Sequence, residues 1–84
     1  GYRIELGEIE SALNGLPGVR AAAVVVREDV TTGPSLIAFV TSDQAPGSSP
    51  YLHELLKRIL PSYMVPAAVF VVDVIPYLSN GKVD

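Results

Sequence analysis

The chain has 84 residues, of which 49% are hydrophobic and 18% charged, and it carries a formal net charge of −3. This length allows one small domain with a single modest core. The net negative charge and the lack of a run of basic residues argue against nucleic-acid binding. The absence of cysteine excludes disulfides and thiolate metal sites. The longest apolar runs, 21–26 and 65–72, are too short to span a bilayer, which argues against a membrane protein.

A first helix is predicted near the start of the chain. Its apolar residues recur at intervals of three, four and three, which places them on one stripe: Leu6, Ile9, Leu13 and Leu16. Three glutamates, Glu5, Glu8 and Glu10, cluster in the first turns, where the positive end of the helix dipole favours carboxylates. We interpret them as helix-end electrostatics rather than as catalytic groups, because nothing pairs them as an acid and a base.

Two strands follow and form a predicted hairpin. The segment 19–28 is rich in valine and alanine, and the segment 36–41 is a second apolar run. Turn-forming residues at 31–34 join the two. The segment 42–49 has no apolar anchor and is predicted to be a mobile loop.

A second helix is predicted to begin after Ser49, a favourable N-cap, with Pro50 at the first helical position. Its apolar residues follow the amphipathic pattern i, i+3, i+4, i+7: Leu52, Leu55, Leu56 and Ile59. The lone histidine, His53, is interpreted as an exposed residue of this helix, because one histidine cannot by itself form a transition-metal site. Two prolines then bracket a stiff connector at 60–66, in which Tyr63 and Met64 are interpreted as packing residues.

The order of elements, with a third strand at 68–74, predicts a two-layer α+β domain. A crossover through the second helix is expected to return the third strand beside the first. We therefore predict a three-stranded antiparallel sheet in the order 2-1-3 with two helices on one face. The predicted core includes Ile9, Leu13, Val24, Val26, Leu55 and Ile59. On these patterns alone the chain is a small globular module whose task is open.

Three separated blocks resemble conserved motifs of nonribosomal peptide synthetase adenylation domains, members of the adenylate-forming, AMP-binding enzyme superfamily. Residues 1–10, Gly-Tyr-Arg-Ile-Glu-Leu-Gly-Glu-Ile-Glu, look like the second half of the eighth motif. Residues 60–66, Leu-Pro-Ser-Tyr-Met-Val-Pro, resemble the ninth, and residues 80–84, Asn-Gly-Lys-Val-Asp, the tenth. The order of the three blocks and the spacing between them both match the family pattern over essentially the whole chain. The resemblance implies that residues 1–84 are the small C-terminal subdomain, a fragment without its large N-terminal core and hinge and inactive by itself.

The same resemblance assigns roles to four residues. Lys82 would be the catalytic cation of aminoacyl-AMP formation from an amino acid and ATP. Arg3 would lie near the nucleotide phosphate, with a salt bridge to Glu5 or Glu8 as the alternative. Gly1 and Tyr2 would line the tunnel for phosphopantetheine, with Gly1 at a point where backbone passes close to that arm.

The implied partners are the core domain in cis, which would bind most of the ATP and Mg²⁺, and a peptidyl carrier protein bearing phosphopantetheine. An MbtH-like protein bound to the core is a further possible partner, and the expected location is cytoplasmic. Two alternatives remain open at this point. One is the same subdomain in a standalone acyl- or aryl-CoA ligase. The other is a non-catalytic protein-interaction module, for which Lys82 and Arg3 would be dispensable.

Overall fold

The computed structural model describes residues 5–31 and 33–75. Two helices, four strands and one short 3₁₀ turn make up this part of the chain. In chain order they are α1 (Leu6–Asn14), β1 (Val19–Asp29), β2 (Gly33–Ser42), β3 (Gly47–Ser48), α2 (Pro50–Ile59), the 3₁₀ turn (Ser62–Met64) and β4 (Ala68–Val71). None of the helices in these ranges is long and apolar enough to cross a membrane.

The strands form one mixed sheet in the order β1-β2-β4-β3. Strands β1 and β2 pair antiparallel as the predicted hairpin, β4 pairs parallel with β2, and β3 pairs antiparallel with β4. The α+β class is confirmed. The predicted three-stranded, all-antiparallel sheet in the order 2-1-3 is wrong in strand number, in neighbours and in the parallel pair.

The position of β4 has a physical reason. Helix α2 has ten residues and so spans about 15 Å. It follows β3, and the chain then returns to the sheet between β2 and β3 as β4. The Ala67 N–H donates to the Leu36 carbonyl and the Val72 N–H to the Val40 carbonyl, both at 2.8 Å, so pairing with β2 extends beyond β4 itself. Strand β4 does run antiparallel to β1, as predicted, but β2 lies between them.

The segment 42–49, predicted to be a mobile loop with no apolar anchor, contains β3. Gly47 and Ser48 pair with Val71 and Phe70, and the Ser49 N–H donates to the Val69 carbonyl at 2.8 Å. Backbone hydrogen bonds therefore attach this segment to β4 although it has no apolar side chain to bury.

One buried cluster joins both helices to a single face of the sheet, which confirms that the two helices lie on the same side. It combines alternate residues of β1, β2 and β4 with one apolar stripe from each helix and with residues of the connecting segments. Its members are Ile9, Leu13, Leu16, Ala22, Val24, Leu36, Ala38, Val40, Leu52, Leu56, Met64, Val69 and Val71. Three of the predicted core residues, Ile9, Leu13 and Val24, belong to it.

The other three predicted core residues do not. Val26 is 51% exposed and Ile59 is 55% exposed, while Leu55 packs against the cluster only in part. Strand β1 has 11 residues and extends about 36 Å, whereas the nine-residue α1 extends about 14 Å. The helix is therefore too short to cover the whole strand, and Val26 lies in the part of β1 that the helix leaves exposed. On α2 the buried stripe is Leu52 and Leu56.

Candidate functional site

The four residues predicted to act in catalysis or binding, Gly1, Tyr2, Arg3 and Lys82, lie outside the described residues. The described part of the chain contains the elements to which these residues are joined in the sequence, and we call these elements the frame. It includes the second half of the eighth-motif block in α1, the whole ninth-motif block between α2 and β4, and the strand that leads towards the tenth.

The eighth-motif block enters α1 at Glu5. The Glu5 carbonyl accepts hydrogen bonds from the N–H groups of Glu8 at 3.0 Å and Ile9 at 3.4 Å, which begins the helix. Glu8 is exposed in the first turn, where a carboxylate interacts favourably with the helix dipole. Ile9, the next residue, is fully buried.

Glu10 differs from the other glutamates of this block. It is half-buried, and its carboxylate accepts a hydrogen bond of 2.9 Å from the backbone N–H of Val24 in β1. Helix-end electrostatics therefore does not account for Glu10, because its carboxylate contacts the sheet. A carboxylate next to the predicted apolar stripe could have indicated such a contact, but its partner is 14 residues away and has no sequence signal.

The ninth-motif block forms a compact connector. Its 3₁₀ turn is closed by hydrogen bonds from the Met64 N–H to the Pro61 carbonyl at 2.9 Å and from the Val65 N–H to the Ser62 carbonyl at 3.3 Å. Met64 is buried in the core, as predicted, whereas Tyr63 is 41% exposed. Pro66 is fully buried.

His53 links α2 to this connector. Its Nε2 lies 2.8 Å from the Pro66 carbonyl, which accepts the ring N–H, and the side chain is half-buried. The prediction of a freely exposed histidine is therefore wrong. The helical pattern held a signal that could have corrected it, because His53 lies three residues before the buried Leu56 and one after the buried Leu52, beside the buried stripe.

The segment after β4 is bonded to the sheet at Val72. The Val72 N–H donates to β2, and Ile75, the last described residue, is buried. Lys82 follows seven residues later in the sequence. The described frame thus carries the chain from the core to the start of the segment that holds the tenth motif.

The face of the sheet opposite the helices holds a concavity of about 770 Å³. Apolar side chains line most of it, and the rings of Phe39 and Phe70 stack across β2 and β4 with centroids 6.0 Å apart. Among the described residues that line it, Arg27 is the ionisable one. Within residues 5–31 and 33–75, no three histidine, aspartate or glutamate side chains are grouped so that they could hold a metal ion.

Comparison with known proteins decides the family. The sequence pattern of the AMP-binding enzyme C-terminal domain matches residues 8–82. The chain belongs to this family. The match begins within α1 and reaches Lys82. Together with the relatives below, it confirms the resemblance drawn from the three blocks.

Relatives of the chain include bacitracin synthase 3 from Bacillus licheniformis, which is 46% identical over 84 residues. The match covers 100% of this chain and 1% of that protein. A crystal structure of a four-domain nonribosomal peptide synthetase, bound to AMP and glycine, superimposes with a TM-score of 0.83 at 38% identity and covers 100% of this chain and 6% of that one. A fatty acyl CoA synthetase of Mycobacterium tuberculosis superimposes with a TM-score of 0.80 at 31% identity and covers 100% and 17%. The chain therefore spans a small fraction of each of these proteins.

Proposed function

We propose that residues 1–84 are the mobile C-terminal domain of an amino-acid-activating adenylation enzyme of the nonribosomal peptide synthetase type. The observation that carries this proposal is the order of the three motif blocks on a chain that matches such synthetases over its whole length. In this proposal the domain closes over a larger core domain and serves two successive half-reactions.

Lys82 serves the first half-reaction. The carboxylate of an amino acid attacks the α-phosphate of ATP, an aminoacyl adenylate forms, and pyrophosphate leaves. Charge develops between two anions that repel one another, so a fixed cation between them stabilises the transition state. Lysine suits this task because it is a compact charge on a long stem and is protonated at neutral pH. Its role is electrostatic, and it neither accepts nor donates a proton.

Residues 1–3 serve the second half-reaction, in which a thiol displaces AMP from the adenylate and a thioester forms. Gly1 and Tyr2 line the passage for the thiol's phosphopantetheine arm, and glycine leaves room for close approach of that arm to the backbone. Arg3 binds phosphate oxygens of the nucleotide, for which a guanidinium group has the matching donor geometry. A rotation of the whole domain between the half-reactions exchanges Lys82 for this segment, a gating motion of the lid kind.

The proposal implies partners and cofactors that other parts of the enzyme hold. The core domain in cis binds ATP, Mg²⁺ and the amino acid, and it is also the surface to which an MbtH-like protein would bind. A peptidyl carrier protein presents the phosphopantetheine thiol. The proposal assigns Mg²⁺ to the core domain, and every role that it gives to this chain belongs to the chain's own side chains and backbone. The 84 residues alone are expected to be inactive, and the enzyme is expected to be cytoplasmic.

A CoA ligase is the second candidate, since a fatty acyl CoA synthetase shares the fold at 31% identity. The higher identities to peptide synthetases, 46% and 38%, favour the first proposal. The two candidates differ in the thiol that accepts the acyl group: a carrier-bound phosphopantetheine in one case and free CoA in the other. A non-catalytic interaction module is the third candidate, and it predicts no effect from replacing Lys82.

The test uses the complete adenylating enzyme that contains this chain, with both half-reactions measured separately. Lys82→Ala is expected to slow ATP–pyrophosphate exchange and to spare carrier loading from preformed adenylate. A bulky side chain in Gly1→Leu is expected to do the reverse. Loss of both half-reactions in equal measure in either variant would contradict the division of labour, and wild-type exchange in Lys82→Ala would favour the interaction module.

A further inference from the structure

The carboxylate of Glu10 connects α1 to the outer edge of the sheet. Its Oε2 lies 2.9 Å from the backbone nitrogen of Val24, in the middle of β1. Among the strands that the structure describes, β1 is a terminal one, with β2 on its inner side. Glu10 is half-buried and Val24 is buried, so this hydrogen bond is partly shielded from water.

The register of the sheet defines the direction of the Val24 N–H. The carbonyls of Leu36 and Val40 accept hydrogen bonds from the β4 side, so the even-numbered residues of β2 direct their backbone groups towards β4. Ala38 lies between them and therefore does not bond to β1. Val24 is the partner of Ala38 in the β1–β2 pair, so its own N–H points away from β2. The Glu10 carboxylate thus accepts a hydrogen bond from a backbone N–H on the side of β1 that faces away from β2.

This hydrogen bond constrains α1 in a way that its apolar contacts cannot. Ile9 and Leu13 bury completely against the core, but burial of apolar surface is non-directional and tolerates small shifts of a helix along a sheet. A hydrogen bond to one backbone N–H requires both a distance and an angle. It therefore sets the position of α1 along β1.

We propose that Glu10 is a positioning residue for the segment that precedes α1. That segment, residues 1–4, enters the helix at Glu5, so the position of α1 determines where the segment starts relative to the sheet. The inference rests on the proposed function, in which Gly1, Tyr2 and Arg3 act in thioester formation. Glu10 acts through them and touches neither the nucleotide nor the thiol.

The first experiment replaces Glu10 in the complete enzyme and measures carrier loading from preformed adenylate. Small misplacement of reacting groups costs up to about 100-fold in rate, so Glu10→Ala is expected to slow loading about 10- to 100-fold. Pyrophosphate exchange, which depends on Lys82, is expected to change less than about threefold. Glu10→Gln keeps an acceptor oxygen at the same reach and is expected to restore most of the loading rate.

Two further variants distinguish a positioning role of Glu10 from an effect of its charge and from a loss of the folded structure. Glu8→Ala removes the same charge from an exposed site of the same helix and is expected to leave both half-reactions unchanged. Glu10→Asp keeps the charge but is one methylene shorter, so it is expected to behave like Glu10→Ala while remaining folded. In both Glu10→Ala and Glu10→Asp the Val24 amide is expected to exchange its hydrogen faster than in Glu8→Ala.

The inference is overturned if the Glu10→Asp enzyme loads the carrier at the wild-type rate. It is overturned as well if this variant slows both half-reactions equally, which is what a merely structural role of Glu10 predicts. It is also overturned if Glu10→Gln fails to restore loading. These outcomes can be told apart from a failure of the proposed function, which is tested by Lys82→Ala in the same enzyme. Wild-type pyrophosphate exchange in Lys82→Ala overturns the proposed function whatever the Glu10 variants do.

Discussion

The imidazole of His53 donates a hydrogen bond to the carbonyl of Pro66 at a distance of 2.8 Å, which joins the middle of α2 to the end of the ninth-motif connector. Pro66 is fully buried, and the next residue, Ala67, bonds to β2. The histidine therefore fixes the point at which the chain turns from the connector into β4.

Removal of this side chain tests the link. His53→Ala leaves the Pro66 carbonyl without its side-chain donor, and a buried carbonyl without a partner costs about 1–2 kcal/mol. We expect the free energy of unfolding to fall by that amount in urea denaturation. Arg58→Ala, a truncation at an exposed site of the same helix, serves as the control and is expected to change stability by less than about 0.5 kcal/mol. Equal losses in the two variants would show that the hydrogen bond contributes nothing specific.

Neighbouring leucines of α2 are expected to differ in their contribution to stability. Leu56 is fully buried and Leu55 only half-buried. Truncation of a fully buried leucine to alanine costs about 2–5 kcal/mol, so Leu56→Ala should destabilise the domain by that amount, as should Leu13→Ala in α1. The cost of Leu55→Ala should be clearly smaller, and Ile59→Ala, at a mostly exposed position, should cost least. A larger loss for Leu55→Ala than for Leu56→Ala in chemical denaturation would contradict the assigned buried stripe.

Two glycines are expected to respond in opposite directions to the same substitution. Gly33, at the start of β2, has φ of +82°, and a Cβ there meets no atom within 4 Å. Gly33→Ala should therefore destabilise by backbone strain alone, by about 1–2 kcal/mol. Gly7, in α1, also has open space where a Cβ would lie, but its φ is not positive. Gly7→Ala should stabilise the domain by about 0.5–1 kcal/mol, because alanine is the better helix former. A shift of both melting temperatures in the same direction would contradict this reasoning.

Local patterns in the sequence predicted the local structure well. The spacing of Ile9 and Leu13 indicated the buried stripe of α1, and Ser49 caps α2 as predicted, with its Oγ accepting from the Leu52 N–H at 3.3 Å. Such features depend on residues within one or two turns of each other, which is why periodicity and capping rules find them.

Relationships between distant segments were not predictable in the same way. The neighbour of β4 depends on how far α2 carries the chain, and strand β3 depends on backbone bonds from Gly47 and Ser48, whose side chains give no strand signal. The bonds of Glu10 to Val24 and of His53 to Pro66 join residues 14 and 13 positions apart. The roles of Arg3 and Lys82 came from the motif resemblance, because no local pattern distinguishes a catalytic lysine from a solvated one.

Lys82 carries the most decisive prediction. In the complete enzyme, Lys82→Ala should slow adenylate formation by roughly 10²–10³-fold, the effect of removing one well-placed group that stabilises charge in a transition state. Lys82→Arg should not restore the rate, because a planar guanidinium cannot place its charge where a compact ammonium group lies. Acetylation of Lys82 should have the effect of Lys82→Ala, since it removes the charge.

The measurement is single-turnover adenylate formation, compared with carrier loading from preformed adenylate in the same variants. Loading should stay close to the wild-type rate, because in the proposed mechanism the lysine acts only while the α-phosphate is being attacked. Lys57→Ala is the matched control, since Lys57 is an exposed lysine that pairs with Glu54 at 3.2 Å on the surface of α2. It should leave both half-reactions unchanged. If Lys82→Arg formed adenylate as fast as the wild-type enzyme, any cation at this position would suffice, and the compact-charge argument would be wrong.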